Sequence, residues 1–474
     1  MLVMVKKPSP PDLSTLTHAE KDALISALLA RLEVLESLVR KDSHNSSKPP
    51  STDGLAKKKT SSLREASGKN VGGQKGHNGT TLKQVAQPTE IVFHPLPARC
   101  DHCNNLLPQN EAQVSERRQV FDVPATACDV VEHRTMKLAC QCGRMHVSTF
   151  PADVTETVQY GQNVRALGVH LTQGQMLPFA RAAELIHDLY GISISPGTLV
   201  SWVGEASAAL QGTADLIADQ LRAAPLVHAD ESGLRVAGKL HWLHIAATET
   251  HTWYGVHARR GMEAIEAHGI LPRLLGVLVH DCWAPYWQLD CIHALCNAHL
   301  LRELVYVKEI TTQAWPQKMM DLLLNANELC ESARQHEIEL PADDIATYLG
   351  LYDMILREGE LANPELVKQP GAGKRGRSKQ SIAFNLLRRL RQHAASVLLF
   401  IREPSVPFTN NLGERAVRMP KVKQKISGCF RTLDGAQNFA VIRSCLDTLR
   451  KQGHGMLEVL RRAFTGNPIQ PACG

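Results

Sequence analysis

The scarcities of this chain restrict its function first. Aromatic residues make up 5% of 474 positions, whereas the apolar share of 43% is ordinary for a folded protein. No uninterrupted run of about 18 apolar residues occurs, so a bilayer-spanning helix is not expected. The opening Met1-Leu-Val-Met-Val-Lys-Lys-Pro lacks the basic-then-apolar order of a secretory signal, and cytosolic residence is the expectation. Twelve cysteines spread over such a length make no disulfide framework, which leaves free thiols or metal ligands.

What is present is concentrated. The net charge of +6 is mild, but Lys and Arg cluster at 57–75 and again at 374–379, and local clustering is what an anionic partner meets. A chain of this length predicts several domains. Ile25, Leu28, Leu32, Leu35 and Val39 recur at steps of three and four, giving a zipper-like helix over 15–42 that either pairs with a second copy or packs on its own protein. A basic, Gly- and Ser-rich linker follows over 43–90 and is too polar to fold alone, although its cations can neutralise phosphates.

Short alternating segments over 91–156 surround Cys100/Cys103 and Cys140/Cys142, a zinc-ribbon-like module in which tight turns could point thiolates at one tetrahedral ion. Cys140-Gln-Cys142 has a single intervening residue, so His102, His133 or His146 remain alternative ligands. Three apolar-periodic helices over 160–222, with Gly191 at a turn and Ser195-Pro-Gly-Thr opening the last, permit a helix-turn-helix as well as generic helical packing.

The periodicity changes at 223. Leu226–Val236, His241–Thr248 and Thr252–His257 read as consecutive strands, followed by a helix near Met262–His268 and a strand over Gly276–His280. Three antiparallel strands, a helix and another strand begin an RNase H-like α/β fold over 223–296, and most of 297–394 reads as helix. Asp230 and Asp281 would lie on neighbouring strands, and Glu414 opens an amphipathic helix behind Asn410 and Asn411. Three carboxylates suit metal-assisted phosphoryl transfer, since two Mg²⁺ (or Mn²⁺) ions roughly 4 Å apart prefer oxygen ligands. Glu231 adjoins Asp230 and should face the opposite side of its strand. Asn410 and Asn411 could cap the helix or touch substrate. Arg415, Arg418, Lys421, Lys423 and Lys425 form a basic run suited to phosphate contact.

These motifs together resemble DDE transposases of the insertion-sequence-66 family. The resemblance rests on Asn45-Ser-Ser-Lys-Pro-Pro-Ser-Thr-Asp-Gly, Gly72-Gly-Gln-Lys-Gly-His-Asn-Gly, the cysteine pairs, His228-Ala-Asp-Glu-Ser-Gly, His280-Asp-Cys-Trp, Cys296-Asn-Ala-His-Leu-Leu-Arg-Glu-Leu and Pro407-Phe-Thr-Asn-Asn-Leu-Gly-Glu-Arg-Ala-Val-Arg. It implies Asp230, Asp281 and Glu414 as the metal-binding triad, a structural Zn²⁺, and a helical insertion over 297–394 ahead of the glutamate, with the RNase H-like fold resuming over 395–466 before a tail at 467–474. The implied partners are DNA, both as transposon ends and as target, a homo-oligomer, and accessory proteins of the same element. The implied place is the bacterial cytoplasm at the nucleoid. Cys296-x-x-His299 resembles a signature of that region in several DDE families, and a buried thiol beside a packing histidine is the alternative.

Overall fold

The computed structural model describes residues 17–39, 84–94, 96–121, 128–366 and 380–473. The basic stretches at 57–75 and 374–379 and the motifs at 45–54 and 72–79 lie outside the described residues. Contact clustering separates a smaller unit, Ser61–Glu132 with Asp188–Ile192, from a larger one that contains His133–His187 and Ser193–Gly474.

Helix α1, His18–Val39, starts at a reciprocal cap in which the Thr17 N–H donates to Glu20 (2.8 Å) and the Glu20 N–H to Thr17 Oγ1 (3.3 Å). Ile25 and Leu28 of the zipper-like stripe are exposed. Strands β1, Lys137–Ala139, and β2, Met145–Val147, form a small antiparallel hairpin. Helices α2, Gln162–Val169, α3, Phe179–Tyr190, and α4, Pro196–Ala223, follow. Ser195 caps α4 by accepting from the Thr198 N–H at 3.0 Å, and Pro196 fills the first turn, where its missing N–H costs nothing.

The central sheet comprises β3, Leu226–Val236, β4, Lys239–Ala247, β5, Thr252–His257, then, past helix α5, Met262–His268, the strands β6, Val277–His280, and β7, Ile292–Leu295. Its order is β5-β4-β3-β6-β7, with β3, β4 and β5 antiparallel and β6 and β7 parallel to β3. The β3–β4 turn pairs Val236 with Lys239 and needs left-handed backbone at both intervening residues, Ala237 (φ 48) and Gly238 (φ 77).

Helices α6, Asn297–Ile310, α7, Trp315–Gln335, α8, Ala342–Ala362, and α9, Ile382–Gln392, occupy the stretch between the sheet and the short helices α10, Ala394–Val397, and α11, Leu399–Arg402. They bury Leu304, Trp315, Met319, Leu323, Leu356 and Leu390 against one another, about 2 kcal/mol for each such side chain removed from water. Helices α12, Asn411–Ser427, α13, Leu433–Lys451, and α14, Met456–Phe464, complete the chain. Edge strand β5 is covered by α13, whose Thr448 and Ser444 hydroxyls each accept a strand N–H, from Thr252 and Tyr254, at 2.9 Å. Helix α4 packs on α13 as well, so the stretch 160–222 contributes its longest helix to the core of the sheet.

Candidate active site at the strand ends

Parallel strands β3 and β6 pair from Leu226 opposite Val277 to His228 opposite Val279. Two residues further in that register, Asp230 stands beside Asp281, which lies just past the end of β6. Glu414 reaches the same end of the sheet through a clamp. The Asn297 N–H donates to the Phe408 carbonyl (3.1 Å), and the Asn410 N–H donates to Cys296 Sγ (3.1 Å), which ties the segment before α12 to the start of α6. The Asn410 side chain donates to the Ala229 carbonyl (2.7 Å), and its Oδ1 lies 2.8 Å from His228 Nδ1. Helix α12 is thus fastened to β3 one residue before Asp230, with Glu414 in its first turn. Gly413 makes room for this, since a Cβ there would lie 2.9 Å from Asn410 Oδ1.

The acids perturb one another. Burial, followed by the charge of Glu231, pushes Asp230 up to about 8; Asp281 and Glu414 add to the shift, and the Glu231 N–H, donated at 2.8 Å, opposes it. Burial and then Glu231 raise Asp281 to about 6, opposed by the Trp283 N–H at 3.1 Å and by Arg260, with Glu414 again raising it. Among the described residues neither aspartate takes part in an ion pair. Carboxylates raised first by burial and then by neighbouring acids, with Arg260 countering the shift of Asp281 only in part, are a donor set that could hold hard divalent cations.

Glu231 is treated differently, although it adjoins Asp230. Its side chain is 3% exposed and pairs with Arg260 (Nε to Oε1, 3.0 Å), and the Tyr286 hydroxyl donates to its other oxygen at 2.6 Å. The Arg260 guanidinium also lies over the rings of Trp242 and Trp283, 4.9 and 4.3 Å from their centroids. Neither Arg260 nor Tyr286 carries a signal in the sequence, because each meets Glu231 only through the fold.

The basic run divides. Arg415, Arg418 and Lys425 are exposed, as is Asn411. Lys421 donates to the Gly233 carbonyl (3.0 Å). Lys423 is 8% exposed with its amino group 5.3 Å from the ring centroids of Phe430 and Phe439, and burial pushes it down to about 8. Asn410 is buried and makes no side-chain cap on α12, because its amide is held by β3.

Each cysteine pair sits on its own tight turn. In the smaller unit the Asn104 N–H donates to the Cys100 carbonyl (2.9 Å) and Asn104 takes φ 61; N–H groups of Cys103 and His102, with the Cys103 thiol, lower the Cys100 pKa. In the larger unit the Gly143 N–H closes the turn on the Cys140 carbonyl (2.9 Å) with Gly143 at φ 84, and the Cys142 N–H and thiol lower the Cys140 pKa. The single-residue spacing of Cys140 and Cys142 is therefore accommodated by a left-handed glycine at the tip of the β1–β2 hairpin.

The strand-end site falls inside a known family. The profile described as "Transposase IS66 family" matches residues 157–438, from the helices before the sheet to the start of α13. The chain belongs to the IS66 family of transposases. A second profile, of a family of unknown function (DUF6444), matches residues 8–83. Two similar proteins of Sinorhizobium fredii (strain NBRC 101917 / NGR234) are named "Uncharacterized protein y4jD", 21% identical across 80% of this chain and 77% of its own length, and "Uncharacterized protein y4qI", 24% identical across 79% and 71%. The IS66 match contains Asp230, Asp281 and Glu414, and the mixed α/β sheet with its many helices is the body of that transposase domain. No described helix is long and apolar enough to cross a membrane.

Proposed function

We propose that this IS66 family member is a DDE transposase that binds the terminal inverted repeats of its element, cleaves DNA to free 3′ hydroxyls, and joins them to a target. The observation that carries the reading is that Asp230, within β3, comes level with Asp281, just past the end of the adjacent parallel strand β6, with Glu414 clamped beside β3. The sheet order β5-β4-β3-β6-β7 supports reading the domain as RNase H-like, with α6–α9 as the insertion before the third acid.

Asp230, Asp281 and Glu414 would hold two Mg²⁺ ions, or Mn²⁺. The raised pKa values of Asp230 and Asp281 support this fit, because a bound cation would offset both the burial and the neighbouring negative charges that raise them. When bound, the ions neutralise phosphoryl oxygens, activate the attacking oxygen and stabilise the leaving one. The residues themselves orient. Asn410 fixes the first turn of α12, and Arg260, paired with Glu231, counters part of the negative charge that Glu231 adds behind the aspartates. Exposed Arg415, Arg418 and Lys425 lie on the helix that carries Glu414 and would take the DNA backbone.

Zn²⁺ is the expected ion for the thiols of Cys100 and Cys103 and for those of Cys140 and Cys142, each pair taken by itself, supported by the turn and the lowered first thiol in each. The turn between α3 and α4 is compatible with a helix-turn-helix for end recognition, and the exposed Ile25 and Leu28 of α1 with a homo-oligomer. Accessory proteins of the same element and a cytoplasmic, nucleoid-associated location complete the reading.

The deciding experiment incubates the full chain with labelled terminal repeats, a target duplex and Mg²⁺. Joined products are expected from the wild type. Asp281→Asn should bind the ends but neither nick nor join them, and Mg²⁺-dependent nicking by Asp281→Asn would remove the assignment.

A further inference from the structure

Cys296, His299 and Glu414 converge from three directions. Cys296 follows β7 at the start of α6, His299 stands one turn into that helix, and Glu414 comes from the first turn of α12. Cys296 Sγ, a ring nitrogen of His299 and a Glu414 oxygen all lie within 4.8 Å of one another. Cys296 Sγ is 3.9 Å and His299 Nδ1 3.7 Å from Glu414 Oε1. The ligand atoms of a tetrahedral zinc ion sit about 3.3–3.7 Å apart, so the group needs only a small contraction to close on one.

Two further observations point to a ligand. His299 Nδ1 is buried and has no hydrogen-bond partner, because the carboxylate oxygen near it is beyond hydrogen-bond reach. A cavity of about 150 Å³ is lined by Cys296 and His299, together with Asp281, Glu303 and Arg389, giving room for a water as fourth ligand. The donors are also of a different kind from the strand-end trio. Three carboxylates select hard Mg²⁺ or Mn²⁺, whereas one thiolate, one imidazole and one carboxylate select Zn²⁺.

We propose that Cys296, His299 and Glu414 form a second binding site, overlapping the carboxylate trio at Glu414, for a thiophilic divalent cation, Zn²⁺ in particular. Binding forms a Zn–S bond and releases the Cys296 proton to solvent, with no change of oxidation state, while His299 enters as neutral imidazole and Glu414 as carboxylate. The site stands on its donor set alone. Its consequence rests on the DDE reading: a zinc ion here withdraws Glu414 from Asp230 and Asp281, so that one side chain is contested by a soft and a hard cation.

The test uses the full chain, stripped with chelator and titrated with Zn²⁺ or Co²⁺. Any zinc taken up by the pairs Cys100/Cys103 and Cys140/Cys142 is common to every variant and cancels in the differences. Wild type should take up one more zinc equivalent per chain than Cys296→Ser and than His299→Gln, and Glu414→Gln should weaken that equivalent at least about tenfold. The cobalt difference spectrum, wild type minus Cys296→Ser, should show a thiolate-to-metal charge-transfer band with tetrahedral d–d transitions, unmoved by a large excess of Mg²⁺. Equal zinc uptake in wild type and His299→Gln, a flat cobalt difference, or displacement by Mg²⁺ overturns the site. His299→Gln keeps the question open to refutation if Cys296→Ser does not fold. A wild type that joins ends but shows no extra zinc loses only this site, and one that takes up the zinc but joins nothing loses only the DDE reading.

Discussion

Asp447 and Asp230 are both acids drawn out of water in the same unit, and the protein treats them in opposite ways. Asp447 on α13 pairs with fully buried Arg443 one turn away and accepts the Tyr254 hydroxyl at 2.7 Å. Asp230 finds Glu231, Asp281 and Glu414 around it and is pushed up to about 8 by burial first and by those charges after it. The first acid is paired within the fold. The second has no ion-pair partner among the described residues, which separates an acid that builds structure from one that, on the proposed function, receives a cation. Glu231 belongs with Asp447 in this respect, for Arg260 and Tyr286 complete it.

The largest effect expected from this contrast is structural. Arg443→Met strands a buried carboxylate and should lower stability by about 4 kcal/mol, read from denaturant unfolding. Arg260→Met should cost somewhat less, about 3 kcal/mol, because Arg260 is partly exposed and Tyr286 remains on Glu231. Equal stability of either variant and the wild type would erase the distinction.

Asp230→Asn should have the opposite sign. The folded state holds the Asp230 proton up to about pH 8, whereas an unfolded aspartate loses it near its ordinary value of 3.8, so between those limits the folded state binds more protons. This contribution is fully present below the unfolded value and is lost as pH rises through the folded one. Without added divalent cation, the Asn variant should therefore melt about 5 °C above wild type at pH 8 and level with it near pH 4, and Mg²⁺ should raise the Tm of the wild type only. A variant that melts lower at pH 8 would place Asp230 with the structural acids.

The smallest effects separate the two kinds of lysine and arginine on α12. Arg418→Ala should weaken DNA binding and reduce the slope of log affinity against log salt by about 1, whereas Lys423→Met should leave that slope unchanged. A lower slope for Lys423→Met would mean that the amine between Phe430 and Phe439 leaves its pocket on DNA.

Local pattern carried much of this fold. Alternation marked β3 and β5 at their observed ends and β4 and β6 within a residue or two, because those signals depend on neighbours in the chain. The long helices between the sheet and Glu414 were equally plain. What was not legible depends on partners far away in sequence. Asn410 read as a cap or a substrate contact, and its amide is instead held by Ala229 and His228, on a strand far earlier in the chain. Lys423 read as one more cation in a basic run, and only Phe430 and Phe439, packed beside it, make it a core residue. Cys296 and His299 stood as an isolated pair until α12 brought Glu414 to them.

The Asn410 clamp also has a temporal meaning. Its three hydrogen bonds require β3 and the start of α6 to be in place, and α12 is made only after the whole helical insertion has left the ribosome. A nascent or truncated chain can therefore place the two aspartates without the glutamate, and on the proposed function such a centre stays unarmed until α12 has joined it.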